Sequence, residues 1–279
     1  MWFGNFGDPG SVSKFSPDGT PLSPDTGFSQ GNISKAQGTV ADQQGNIWIA
    51  NVDNDTLTKF PRGNPNRARN FTGGGLNAPF DIAIDASGDV WVTNSGGDSV
   101  SKFTPDGMPV KGSPFTGGEV CCSPKGIAID SRGNAWVANF ADASVTALRP
   151  NGKPYRRPPF RGGGIDGPWG IAVDGKDNIW VANFAGRTLS HLCGATRSNC
   201  PAGLHTGDPI SPPTGYGSTS NALQRLTAVT IDSSGNVWVA NNFKPQPTPP
   251  EDPGGDGLVV FIGLAAPVRT PLIGPPRQP

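Results

Sequence analysis

Apolar and polar positions along this chain alternate in short paired runs. The stretch GIAIDSRGNAWVANF, residues 126–140, is one such pair: two runs rich in β-branched and aromatic residues, joined by a polar turn, which predicts a β-hairpin. Near copies end at Asn51, Asn94, Asn183 and Asn241, and a clipped copy, WFGN, opens the chain. Trp2, Trp48, Trp91, Trp136, Trp180 and Trp238 mark the repeat at intervals of 46, 43, 45, 44 and 58. The unit is therefore about 44 residues long, with one insertion of about 14. Such a length suits four short strands of one propeller blade. No helical period interrupts it.

Each complete unit begins with a strand of the form G-I-A-I-D, whose Asp stands six residues before the Trp: Asp42, Asp85, Asp130, Asp174 and Asp232. A tight turn follows, with Gly three residues before the Trp at Gly45, Gly88, Gly133 and Gly235, where a positive φ costs little. Asp177 departs from that rule. The second strand is N-I-W-V-A-N. The third is S-V-S-K-F or T-L-T-K-F, ending at Phe15, Phe60 and Phe103, and a short fourth strand leads into Gly-rich linkers such as residues 71–74 and 115–118. The Asp residues are expected to cap their turns through backbone hydrogen bonds.

In phase over almost the whole chain, these motifs resemble the NHL-repeat family of β-propellers. More distantly they are similar to the six-bladed propellers of the virginiamycin B lyase and SMP-30/gluconolactonase type. The resemblance implies an all-β, six-bladed propeller in a single domain, with blades at about 1–31 (partial), 32–75, 76–119, 120–164, 165–222 and 223–279. The first blade lacks its innermost strand, because Trp2 belongs to strand two. The chain ends PLIGPPRQP, and prolines are poor sheet residues, so the missing strand is expected from an upstream piece, unless the ring is gapped or closed by another chain. Without such closure a monomer is expected.

Composition narrows the function classes. Gly 40 and Pro 30 make about a quarter of the 279 residues, but they recur at fixed places and read as turns. Lys plus Arg equals Asp plus Glu at 22 each, without a basic run, which argues against a nucleic-acid partner. No stretch reaches the length of a membrane-spanning helix, and residues 1–10 show no signal-peptide pattern. Four cysteines allow three connectivities, and spacing does not choose among them. By analogy with small loop disulfides of exported proteins, Cys193–Cys200 is the favoured pair. That pair, the low Lys content and the repeat family point to an extracytoplasmic or secreted protein. The adjacent Cys121 and Cys122 read as ordinary thiols, a vicinal disulfide or a soft-metal contact.

Strand alternation puts the loops between strands two and three on one face, together with those leading into strand one, and propellers usually bind ligands there. The ring of Asn51, Asn94, Asn139, Asn183 and Asn241 ends strand two and reads first as local hydrogen bonding to the loop backbone. Positions that vary between units are better ligand candidates. Just before strand one stand Gln37, Phe80, Lys125, Trp169 and Thr227, with Asp81 following Phe80, and the loops after the Asn residues carry Asp53, Asp98, Asp142, Arg187 and Lys244. Phe80, Asp81, Lys125 and Trp169 are expected to form an amphipathic rim at the channel mouth suited to a peptide or sugar, with Arg187 and Lys244 nearby; the alternative is ordinary loop packing. The Pro-rich stretch 245–257 overhangs the same face, whereas residues 193–206 belong to the opposite one.

Evidence for catalysis is missing from the sequence. The resemblance implies a divalent metal near the channel and, for the lyase, histidine chemistry. The chain has two histidines, His191 in a third strand and His205 in the fourth-strand region, and both read as structural or surface residues. A Ca²⁺ site would need six to eight oxygens, which Asp53, Asp98 and Asp142 on separate blades do not promise. No phosphate loop, nucleophile elbow or Cys/His spacing motif is present. The expectation is a non-catalytic binding or scaffold propeller for a protein, peptide or glycan, with no cofactor. The alternative is a divalent-metal-dependent lyase or lactonase-like hydrolase with a divergent site.

Overall fold

The computed structural model describes residues 1–155, 158–242 and 257–269. Lys244, nearly all of the Pro-rich stretch and the segment PLIGPPRQP lie outside the described residues. The chain divides into two compact units, Met1–Thr116 and Gly117–Pro279.

The first unit holds three antiparallel sheets. β1 (Trp2–Asn5) pairs with β2 (Ser11–Lys14). β3 (Ala36–Ala41), β4 (Ile47–Asn51), β5 (Thr56–Phe60) and β6 (Arg69–Phe71) follow in order. β7 (Pro79–Ile84), β8 (Val90–Asn94) and β9 (Ser99–Phe103) form the third. The second unit holds three sheets of three strands. These are β10 (Pro124–Ile129), β11 (Ala135–Asn139) and β12 (Ser144–Leu148), then β13 (Pro168–Val173), β14 (Ile179–Asn183) and β15 (Thr188–Leu192), then β16 (Leu226–Ile231), β17 (Val237–Asn241) and β18 (Leu258–Phe261).

Among the described residues only β6 is a full fourth strand; in other sheets the fourth position makes isolated bridges such as Val100 with Phe115, Phe103 with Pro109, and Val145 with Phe160. Proline supplies no N–H to a ladder, so segments carrying Pro109, Pro154 or Pro209 touch the sheet without joining it. In the first sheet, too, Val12 bridges Phe28 beyond β2.

Each sheet is built around its tryptophan. The indole N–H of Trp48, Trp91, Trp136, Trp180 and Trp238 donates to the Asp six residues earlier, at 2.9–3.1 Å. The other carboxylate oxygen caps the turn: Asp130 Oδ1 accepts from the backbone N–H of Arg132 and Asn134. One face of the indole meets the aromatic of the fourth position, as in Trp48–Phe71 at 5.4 Å and Trp136–Phe160 at 5.5 Å. The neighbouring strand sets one residue in register with the Trp. It is Lys14, Lys59 and Lys102 in the first unit, and Ala147, His191 and Val260 in the second. Lys102 is buried and its ammonium lies 3.0 Å from both Asp85 and Asp89.

Asp177, where other units have Gly, still adopts the positive φ of the turn, at 62°. Its carboxylate accepts from the Ser131 backbone at 2.8 Å and from the Ser131 and Thr196 hydroxyls, tying two sheets and a loop together.

Candidate functional site

The first strand of every complete unit starts earlier than its sequence suggests. The variable residues expected just before it lie inside it, at a break in register: between Ala36 and Thr39, Pro79 and Ile82, Pro124 and Ile127, Pro168 and Gly170, and Leu226 and Ala228. Gln37, Phe80, Lys125, Trp169 and Thr227 therefore stand on β-bulges, which re-aim a side chain without ending the strand. The glycine after the bulge lets neighbouring inner strands approach. A Cβ on Gly126 would lie 2.5 Å from the Trp169 carbonyl oxygen, and one on Gly170 would lie 2.8 Å from Ala228 Cα.

In the second unit these bulges assemble a cluster. Lys125 Nζ lies 5.1 Å from the Trp169 ring centroid and 5.9 Å from that of Phe140, which follows β11. Trp169 stacks on Phe184, just past β14, at 4.9 Å and 25°. Phe140 stands edge-on to Trp169 at 5.4 Å and 86°. Arg225, the residue before β16, places its guanidinium 5.7 Å from the Phe184 ring. Three adjacent sheets thus contribute three half-buried rings with a cation at each end. Such contacts contribute about 0.5–2 kcal/mol each. Burial pulls the Lys125 ammonium below its ordinary pKa. A partly desolvated cation beside aromatic faces favours a ligand that combines a planar or apolar face with negative charge.

The lead-in loops are zipped to the strand-two/strand-three loops of the same sheets. Ala141 N–H donates to Cys122 O, Phe184 N–H to Gly167 O and Asn242 N–H to Arg225 O. Cys121 and Cys122 form a disulfide in the first of these loops, and Cys193 pairs with Cys200 on the loop after β15. Among the described residues, Cys121, Cys122 and Asp142 are the one group of three that could approach a common metal ion. Its thiols are joined and Asp142 holds Arg161 at 2.7 Å. This donor set does not fit the hard divalent cation that the resemblance implies.

Phe80 and Asp81 share the bulge of β7 in the first unit, where Phe80 is buried at 9% exposure and Asp81 accepts a hydrogen bond from the Ile82 N–H. Arg187 is exposed at the β14–β15 turn with φ 54°, and joins none of the cluster's ring contacts. The Asn residues are occupied internally. Asn94 Nδ2 donates to Ser99 and Ser101, Asn139 to Ser144 and Thr146, and Asn183 to Thr188 and Ser190. Asn51 does the same with Thr56 and Thr58, and Asn241 reaches Ala222 O. Asn5, in the clipped first copy, repeats the pattern with Ser11 and Ser13.

Sequence reasoning missed Phe140, Phe184 and Arg225. A signal existed for the first two: Asn-Phe ends strand two in these copies and in the clipped first copy, where the others have Asn-Val, Asn-Ser or Asn-Asn.

No protein-family model and no curated protein sequence matches this chain. Solved structures do. Virginiamycin B lyase from Staphylococcus aureus superposes with a TM-score of 0.64 at 17% identity, covering 93% of this chain and 83% of that one. A proposed 6-phosphogluconolactonase from Bacteroides uniformis gives 0.61 at 13%, covering 94% and 75%. A chain of a nidogen–laminin complex gives 0.55 at 17%, covering 79% and 76%. At these identities the likeness shows the fold, a β-propeller distantly like the lyase and lactonase-type structures.

Proposed function

We propose that the chain is a six-bladed, NHL-like binding propeller that recognises a protein, peptide or glycan on its channel-mouth face. The observation that carries this reading is the cluster of Lys125, Phe140, Trp169, Phe184 and Arg225. It combines large, half-exposed aromatic area with two cations, all set on strand bulges and strand ends. Aromatic platforms of this kind hold sugar rings and peptide side chains, and the cations select acidic ones. Partner binding also suits a fold shared with a chain of a protein–protein complex. Screening a glycan array and a displayed peptide library with the wild type and with the Lys125→Ala/Trp169→Ala double variant tests it. Ligands captured equally by both proteins refute the proposal.

The second reading, a metal-dependent lyase or lactonase-like hydrolase, draws on the likeness to an enzyme whose catalytically inactive form carries a histidine-to-alanine substitution. In this chain His191 is in β15 and His205 pairs with Asp208 on an exposed loop, and neither joins the aromatic cluster. A thermal melt in EDTA, repeated with Ca²⁺, Mg²⁺ or Zn²⁺ restored, separates the readings. A reversible metal-dependent shift favours the enzyme.

A further inference from the structure

A cleft of about 360 Å³ opens beside the fifth sheet, at the ends of its strands away from the aromatic cluster. It lies within the second unit. Asp174, Lys176 and Asn178 of the β13–β14 turn line one side, and Asn199 and Pro201 of the disulfide-closed loop another. The segment Leu264–Pro267 closes a third, held by Gly175 N–H to Ala266 O and Ala265 N–H to Gly235 O. His191 lines the cleft from β15.

His191 occupies an unusual place in the repeat. It is in register with Trp180 and stacks on the indole at 3.8 Å and 14°. In three other sheets a lysine holds this position, with its ammonium over the indole, and in the third sheet that ammonium also meets the turn carboxylate. Lys102 contacts Asp85 at 3.0 Å, whereas the Lys59 ammonium donates to Pro105 O at 2.8 Å. The fourth and sixth sheets put Ala147 and Val260 there, which leave no polar atom to satisfy. Only the fifth sheet combines a turn carboxylate with an imidazole. His191 is 9% exposed, its Nε2 is buried with no hydrogen-bond partner, and Asp174 Oδ2 stands 3.9 Å away, too far for a direct bond. Buried polar atoms are nearly always paired, so an orphan on a side chain that lines a cleft marks a place for a ligand donor.

We propose that this cleft binds a small organic ammonium ion, whose N–H groups donate to His191 Nε2 and Asp174 Oδ2 and take the place that the Lys102 ammonium holds in the third sheet. The apolar sides formed by Pro201, Leu264 and Pro267 take the carbon body, and the exposed Lys176 suits an anionic group at the far end. A transition metal is the less fitting occupant. One imidazole and one carboxylate fall short of the three or four protein ligands such ions take, and no third His, Cys, Asp or Glu joins them among the described residues.

The test uses the whole chain and three probes: n-butylammonium, tetramethylammonium, which has the charge but no N–H, and zinc chloride. With two histidines in the sequence, the imidazole ¹H–¹⁵N spectrum resolves His191 from His205. n-Butylammonium is expected to move the His191 Nε2 resonance saturably while leaving His205 in place, and tetramethylammonium is expected to move neither. Titration calorimetry should show n-butylammonium binding lost in His191→Lys, which supplies the cation internally. The proposal is overturned if His191 does not respond at saturation, if both ammonium ions act alike, if zinc alone shifts it, or if folded His191→Lys binds n-butylammonium as the wild type does. These readouts do not involve the aromatic cluster, so either site can fail without the other.

Discussion

Replacing His191 with Phe should remove a large part of the acid sensitivity of this protein. Burial holds the His191 pKa down to about 4, against 6.5 for a solvated imidazole. The unfolded chain therefore takes up a proton below 6.5 that the folded chain refuses until about 4. Stability from this group is complete above 6.5, falls as pH drops through the interval, and is lost at about 4. The gap corresponds to about 3 kcal/mol at a site only 9% exposed. Asp174, 3.9 Å away, acts in the opposite sense: burial raises its pKa, so its protonation favours the folded state as pH falls. That contribution is common to both proteins and drops out of their difference. Phe keeps the stack on Trp180 and removes the orphan nitrogen, so the variant should match or exceed the wild type at neutral pH. Urea midpoints at a series of pH values measure the effect, with the slope m checked for constancy. Parallel loss of stability in the two proteins would refute the argument that desolvation controls His191.

Three further outcomes follow from the same structure. Lys102→Met leaves Asp85 buried without its ammonium and should cost about 3–5 kcal/mol, read as a fall in urea midpoint. Asn139→Ala removes donors to Ser144 and Thr146 and the acceptor of the Cys121 N–H, and should cost about 2–4 kcal/mol by the same assay. Replacing Cys193 and Cys200 with Ala opens a loop with a sequence separation of 7, and should cost about 2.5 kcal/mol, visible as a lower melting temperature.

Much of the sheet architecture was legible because each unit repeats the residues that build it. Asp130 and Trp136, six apart, announce a turn capped by the carboxylate that receives the indole N–H, and Gly133 announces its positive φ of 80°. The Asn residues were legible as groups that bond the loop backbone, as Asn139 Oδ1 does with the Cys121 N–H, but their donation to Ser or Thr hydroxyls was not read. Strand starts were harder to read, since a bulge at Lys125 or Trp169 breaks the alternation that marks a strand. Fourth strands were overestimated, because single bridges at prolines carry the same sequence spacing as a ladder. The aromatic cluster was half legible. Lys125 and Trp169 stood out as deviations within one position of the repeat, but Phe140, Phe184 and Arg225 come from other positions and meet only when adjacent sheets pack. The cleft at His191 was not legible, because two of its sides come from an insertion and from a segment outside the repeat pattern, which meet the repeat turn only in the fold.

The bulge of the first strand has a consequence for how such a chain can change over generations. Duplication of a unit copies the Asp, Trp and Asn whose hydrogen bonds recur from sheet to sheet, whereas the residue type at the bulge does not recur. Gln37, Phe80, Lys125, Trp169 and Thr227 have diverged in charge, size and polarity while the strands around them kept one register. New specificity can therefore be acquired one unit at a time where the bulge side chain is half-buried, as at Lys125 and Trp169, whereas the buried Phe80 is tied to packing. The same positions are the natural ones to randomise when a new ligand is sought.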